Sequence, residues 1–240
     1  MRDGPLLDQQ IAYYRARAQE YDEWFLRQGR YDRGPEFRHQ WFREIEEIAA
    51  ALASLTQGVD VLELAGGTGL WTQRLAASGC SILAVDASPE TIAINRERVK
   101  SPNVEYQIAD IFRWTPTRTF DVVFFSFWLS HVPAERFDAF WELVHAALRP
   151  GGHAFFIDSL FETTSVAHNH DLPDRSGVSR RKLNDGREFD IVKVFHEPAE
   201  LERRLVERGW SGWVRPTETF FLYGSMTFSR DQPFANGIKD

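Results

Sequence analysis

Val61-Leu62-Glu63-Leu64-Ala65-Gly66-Gly67-Thr68-Gly69 constrains this chain more than any other stretch. A short apolar run passes directly into a glycine-rich turn, and a helical pattern follows. The run reads as a buried strand. Glycines in such a turn permit positive φ and remove the Cβ atoms that would hold a ligand away from the backbone. The helix start leaves unpaired N–H groups facing the same space. The pattern predicts a nucleotide-like ligand on bare backbone along Glu63, Ala65, Gly66, Gly67, Thr68 and Gly69.

From residue 59 onward, short apolar runs alternate with helical patterns, the mark of βαβ units and a mainly parallel sheet. Strands are expected at 59–64, 80–86, 103–110, 120–127 and 152–159. Ser88-Pro89-Glu90 offers an N-cap, a proline suited to the first helical position and a first-turn acid, so a helix should start there. His131-Val132-Pro133 repeats the arrangement after the fourth strand, and Arg149-Pro150-Gly151-Gly152 ends the next helix. Before the sheet, Ile11, Tyr14, Ala18, Tyr21 and Phe25 fall on one face of a helix. A second helix over 36–55 turns Phe37, Trp41, Ile45, Ile48 and Leu52 inward and Glu44, Glu46 and Glu47 mostly outward. Residues 161–178 are polar and read as a loop over the carboxyl edge, able to act as a lid. Asn184-Asp185-Gly186 predicts a hairpin within 180–195, with Arg180-Arg181-Lys182 as a solvated stretch of it. A helix over 197–208 and a last strand over 217–228 complete the chain.

At 240 residues one domain is expected, divided into a helical cap (1–57), a ligand-binding core (58–160), a lid loop with hairpin (161–196) and a C-terminal helix and strands (197–240). A formal charge of -7 disfavours nucleic acid as a partner. The run at 122–129 is far shorter than the roughly 20 residues a membrane span needs, so no membrane partner is expected. The single cysteine, Cys80, and the absence of an apolar core in MRDGPLLDQQ point to the cytoplasm.

Asp86 closes the second strand, where an acid accepts hydrogen bonds from ribose hydroxyls. A dinucleotide site would want glycine or alanine where Thr72 stands, and Trp71 is bulky beside a diphosphate, so a ligand without phosphates is favoured. ELAGGTG, VDASP, Ala109-Asp110-Ile111, FDVVFFSFWLSHVP and LRPGG, in this order over about 59–158, resemble the successive motifs of class I methyltransferases. The resemblance implies a Rossmann-like α/β fold, mostly parallel with an antiparallel last strand, an N-terminal helical cap and an inserted hairpin. It implies S-adenosyl-L-methionine as cofactor. The amino-acid part would lie on the glycine turn and the helix that continues through Trp71 and Thr72. The ribose would lie at Asp86 with Ala87 and Ser88, the adenine beside Asp110, Ile111 and Phe112, and the methionine moiety beside Ser126 and Phe127. YYRARAQEYD is similar to the helix that covers the cofactor in the small-molecule branch, with Tyr14 and Tyr21 as contacts. YYRARAQEYDEWF, FWLSHVP and RKLNDGREFDIVK resemble nitrogen-methylating enzymes of azapteridine biosynthesis. That likeness implies a flat heteroaromatic substrate with nitrogen as the accepting atom; secondary metabolism and a monomer or homodimer are separate expectations.

Each assignment has a plainer competitor. Tyr14 and Tyr21 lie on an apolar helix face, where core packing accounts for them equally well. Trp24, Trp41 and Trp128 can stack on a flat substrate or fill the core. His131 sits at the carboxyl edge as a candidate base or substrate-orienting group, against a histidine that bonds near a helix start; Asp158 is the second base candidate. His168 and His170 lack further ligands, and no metal is expected. An O-methyltransferase, a nicotinamide-dependent reductase and a non-catalytic adenosylmethionine-binding scaffold are the rival functions.

Overall fold

The computed structural model of the chain describes residues 4–166 and 177–228. Three helices precede the sheet: α1 (Gly4–Arg17), α2 (Tyr21–Phe25) and α3 (Pro35–Ala53). Strands and helices then alternate through β1 (Asp60–Leu64), α4 (Leu70–Ala77), β2 (Ser81–Asp86), α5 (Pro89–Val99), β3 (Val104–Ile108), β4 (Phe120–Ser126), α6 (Phe137–Ala147) and β5 (Leu148–Ser159). The hairpin β6 (Val178–Lys182) and β7 (Glu188–Val192) follows, then α7 (Pro198–Val206), β8 (Trp210–Pro216) and β9 (Phe221–Phe228).

The seven-stranded sheet runs β3-β2-β1-β4-β5-β9-β8, with β1 to β5 parallel and β9 antiparallel to both neighbours. Side chains alternate across it. Leu62, Leu64, Val123, Phe125 and Phe156 pack on one side with Trp141 of α6 and Leu205 of α7. Val61, Phe124 and Phe155 pack on the other with Ile45 of α3 and Leu75 of α4. Strand order reverses between β1 and β4, and in open α/β sheets a ligand crevice lies at the carboxyl ends of such a pair.

Local signals placed most elements well. Ser88 caps α5, its hydroxyl accepting from the Thr91 N–H at 3.1 Å, and Gly186 turns the hairpin with φ of +90°. Four expectations are corrected. The first helix breaks after Arg17 and turns Leu7, Gln10, Tyr13 and Arg17 inward, while Ile11, Tyr14 and Tyr21 are only partly buried because they face cavities. The polar inward stripe exists because β7 packs on it: Gln10 donates to the His131 carbonyl (3.2 Å) and accepts from Val192 N–H (3.1 Å). Glu44 is 1% exposed rather than outward, accepting from the Phe220 N–H (2.9 Å) and the Thr217 hydroxyl ahead of β9. Arg149-Pro150-Gly151-Gly152 forms a bulge inside β5: Phe120 pairs with Leu148 but Val122 with His153. Arg149 there bridges Asp121 (2.7 Å) and Asp60 (2.5 Å). Finally, His131 lies in a short 3-10 turn (Leu129–His131), and the α-helix begins only at Phe137.

Among the described residues, no helix is long and apolar enough to cross a membrane, and no group of three or more His, Cys, Asp or Glu gathers as a metal site. His168 and His170 lie outside the described residues, as does most of the expected lid loop.

Candidate active site

Ala65 and Phe127 leave β1 and β4 with φ of +54° and +53°. A non-glycine residue holds this region at a cost of about 1–3 kcal/mol, and such strain concentrates at functional sites. Both residues line a cleft that holds about 740 Å³ of empty space, open solvent included, along the carboxyl ends of β1, β2 and β4, with Leu7, Gln10, Ile11 and Tyr14 of α1 also in its lining. Gly67, Asp86, Ala87, Ser88, Asp110, Ile111, Phe112 and Ser126 line it as well.

Asp86 anchors this cleft. Its Oδ2 accepts from Gly67 N–H (2.9 Å), and Oδ1 accepts from Ser88 N–H (2.8 Å) and the Thr91 hydroxyl (3.2 Å). These bonds aim the carboxylate and leave an acceptor position open on Oδ2. Burial raises its pKa, an effect the same hydrogen bonds oppose. Further along, Ile111, Phe112 and Trp128 form an apolar slot in which the rings of Phe112 and Trp128 lie 5.3 Å apart. Trp128, expected at the substrate, thus stands in this cleft.

Glu63, Gly66, Thr68, Gly69, Trp71 and Thr72 stand behind the lining. Glu63, 1% exposed, accepts from the Thr72 hydroxyl (2.6 Å), which accepts from Asn95 Nδ2 (2.9 Å). Burial pushes the Glu63 carboxyl up to about 8. Gly69 has φ of +89°, and a Cβ there would lie 2.5 Å from Asn95 Oδ1, so glycine is what lets the turn sit on α5. The Thr68 hydroxyl donates to Asp22 (2.6 Å), and Arg98 pairs with the same carboxylate, tying α2 to the glycine turn. Trp71 packs in the core against Phe25 and Phe124.

A second chamber, with about 600 Å³ of empty space, open solvent included, adjoins the first, and the two share Tyr14, Tyr21, Phe127 and His131 as lining. Trp24 borders the second chamber with its ring 4.7 Å from that of Phe127. Trp41 does not reach it: fully buried, its indole donates to the Phe25 carbonyl (3.0 Å) in the core. Both nitrogens of His131 are engaged. Nδ1 faces the Val192 carbonyl (2.7 Å) and must carry the proton there, so Nε2 accepts from the Tyr14 hydroxyl (2.7 Å). Burial, reinforced by Lys193, lowers its pKa to about 3. Asp158 is 1% exposed and lines neither cavity; it accepts from the N–H groups of Ser130 and Ser159 (2.7 Å each) and lies 3.6 Å from Lys193.

Sequence reasoning missed the cations of this chamber, Arg17, Arg181 and Lys193. Arg181 is half-buried and turned inward from β6, whereas Arg180 and Lys182 on either side are exposed. The available signal was alternation: Phe189, Ile191 and Lys193 fall on one face of the strand.

A family described as methyltransferase domain matches residues 61–152. A structure of the DhpI-SAH complex is 40% identical in sequence, covers 94% of this chain and 98% of that one, and superposes with a TM-score of 0.77. The chain belongs to the class I S-adenosylmethionine-dependent methyltransferases. A second DhpI structure, in complex with SAM and HEP, is 39% identical over 92% of this methyltransferase and 97% of that chain, at a TM-score of 0.74. An uncharacterized methyltransferase of Staphylococcus carnosus (strain TM300) is 32% identical over 51% of this chain, and carboxy-S-adenosyl-L-methionine synthase of Geobacter sp. (strain M21) is 30% identical over 58%. This methyltransferase spans 57% and 62% of the length of those two curated relatives. S-adenosylmethionine is its cofactor, and the cleft fits that molecule: an apolar slot for a purine, an aimed carboxylate for ribose hydroxyls, and bare backbone at Gly67.

Proposed function

We propose that this protein transfers the methyl group of S-adenosylmethionine to a small molecule held in the second chamber. The observation that carries the reading is the shared wall: Tyr14, Tyr21, Phe127 and His131 border both cavities, so groups in the two spaces face each other there. In this reading Asp86 binds the ribose, Ile111, Phe112 and Trp128 enclose the adenine, and Ala65 and Gly67 bring backbone against the amino-acid part. The bound cofactor supplies an electrophilic methyl group on a sulfonium. The protein's own contribution is to orient the acceptor and keep water out, and holding two reactants in line is worth on the order of 7–11 kcal/mol. The Phe127 and Trp24 rings give a cation an attractive surface.

His131 serves here as a positioning residue that fixes Tyr14, and Asp158 as one that fixes Lys193 and the Ser130 turn. Aromatic walls suit the flat heteroaromatic nitrogen acceptor implied by the azapteridine resemblance. That acceptor leaves the cations of the chamber without a purpose.

Isothermal titration with S-adenosylmethionine, S-adenosylhomocysteine and NADH tests the reading, followed by turnover on small acceptors. Micromolar binding of the adenosyl ligands, with S-adenosylhomocysteine released and an acceptor methylated, is the expected result. Exclusive NADH binding would overturn it, and adenosyl binding with no turnover on any acceptor would favour the scaffold.

A further inference from the structure

Arg17 is 8% exposed and lines the second chamber, yet among the described residues no carboxylate pairs with it. Its one hydrogen bond goes from Nη2 to the Tyr31 hydroxyl (3.3 Å), and its buried Nε has no partner. The rings of Tyr13, Tyr21 and Tyr31 surround the guanidinium at 5.2–5.9 Å. These phenols supply no counter-charge, because burial raises the pKa of Tyr13 and Tyr21 further above neutrality. An unpaired buried charge is expensive, and a guanidinium is built to take two oxygens at once.

Lys193, 9% exposed, enters the same chamber from the end of β7. Its ammonium donates to the Ser130 hydroxyl at 2.8 Å and has Asp158 at 3.6 Å. Among the described lining residues there is no Asp or Glu. The cations are thus concentrated on the acceptor side of the shared wall in a protein whose net charge is -7. Among the described residues, the one histidine of the chamber is not free to take a proton, since both His131 nitrogens are committed. An acceptor that must lose a proton is poorly served by such a site, and one that arrives ionised needs no base.

We propose that the acceptor is a small oxyanion, held by Arg17 and Lys193, and that one of its anionic oxygens receives the methyl group. A lone pair of that oxygen forms the new O–C bond while the C–S bond breaks and its electron pair stays on sulfur. The negative charge of the oxygen and the positive charge of the sulfonium disappear together, and no proton moves. This inference rests on the methyltransferase reading and adds its substrate class. Carboxylates, sulfonates, and phosphonates or phosphate monoesters share the chemistry.

The test incubates the purified chain and S-adenosylmethionine with acetate, methanesulfonate, methylphosphonate, phosphoethanolamine and, as the neutral control, quinoxaline. S-adenosylhomocysteine and methylated acceptor are read by mass spectrometry, and each probe is also titrated into the protein loaded with S-adenosylhomocysteine. The expected result is oxygen methylation of at least one anion and none of quinoxaline, with the productive anion naming the class. Arg17→Met should raise KM for that anion by about 10–100-fold, the range for a lost charged hydrogen bond, while the Kd for S-adenosylmethionine stays within about threefold; Arg17→Lys should recover part of the loss. Should Arg17→Met fail to bind the cofactor, Lys193→Gln carries the same measurement. Turnover of quinoxaline but not the anions, anions that neither react nor bind the loaded protein, or an unchanged KM in both variants would overturn the oxyanion. In each of those outcomes intact cofactor binding separates this failure from failure of the methyltransferase reading.

Discussion

The Tyr14 hydroxyl and His131 Nε2 lie 2.7 Å apart across the boundary of the two cavities, joining α1 to the turn after β4. The second nitrogen of the ring is bound to β7 through the Val192 carbonyl, so one neutral imidazole ties together the cap, the sheet edge and the hairpin. Tyr14→Phe leaves Nε2 as a buried acceptor without a donor, at a cost of about 1–3 kcal/mol. Thermal unfolding should register that loss, and kcat/KM should fall with it. Because burial holds the His131 pKa near 3, its titration should give kcat no inflection between pH 5 and 7.5. A pH–rate profile on an acceptor that does not titrate in this range checks the point, and an acid limb abolished in His131→Gln would restore the histidine as general base.

Asp86 supplies the only carboxylate among the described residues that both lines the cofactor cleft and receives a hydrogen bond from the glycine turn. Asp86→Asn keeps the shape but loses charge and an acceptor. The Kd for S-adenosylmethionine should rise by about 10–100-fold, the usual weight of a hydrogen bond to a charged group. Isothermal titration of the variant, with its melting temperature as a control for folding, is the measurement.

How far the site was legible follows from which interactions are local. The strand into Gly66-Gly67-Thr68-Gly69, the Ser88 cap and the Asn184-Asp185-Gly186 turn announce themselves because neighbouring residues create each constraint. Arg17 and Lys193 gave no such warning. Their burial makes sense only once α1 and β7 are packed together, and a lone cation in a helical or alternating pattern reads as solvated. Glu44 is hidden for the same reason, since its partners Thr217 and Phe220 lie far along the chain. Aromatic spacing was equally silent on depth: Trp24 and Trp41 have rings 5.3 Å apart, yet one borders a cavity and the other fills the core.

That pair yields a contrast. Trp41→Ala should cost about 3–5 kcal/mol of stability, as expected for a large buried side chain, with KM for the acceptor little changed in protein that remains folded. Trp24→Ala should do the reverse, raising KM with a smaller loss in melting temperature. Calorimetry beside steady-state kinetics on both variants decides it, and equal effects on KM would place Trp41 nearer the acceptor than the structure does.

Glu63 gives the free protein an unusual pH dependence. Its carboxyl is raised by burial to about 8, against an ordinary value near 4.5, so between these limits the folded state holds a proton that the unfolded chain releases. Stability from this group is full below pH 4.5 and declines as pH rises towards 8, since stability falls with pH wherever the native state binds more protons. Glu63→Gln removes the titration while retaining an oxygen for the Thr72 hydroxyl. Relative to wild type, the variant should gain up to about 2–4 kcal/mol between pH 5 and 8, scaled from 1.36 kcal/mol per pKa unit. Urea unfolding of the two proteins at pH 5, 6.5 and 8 measures this, and a stability difference that stays constant across the three would mean that Glu63 is ionised in its buried position.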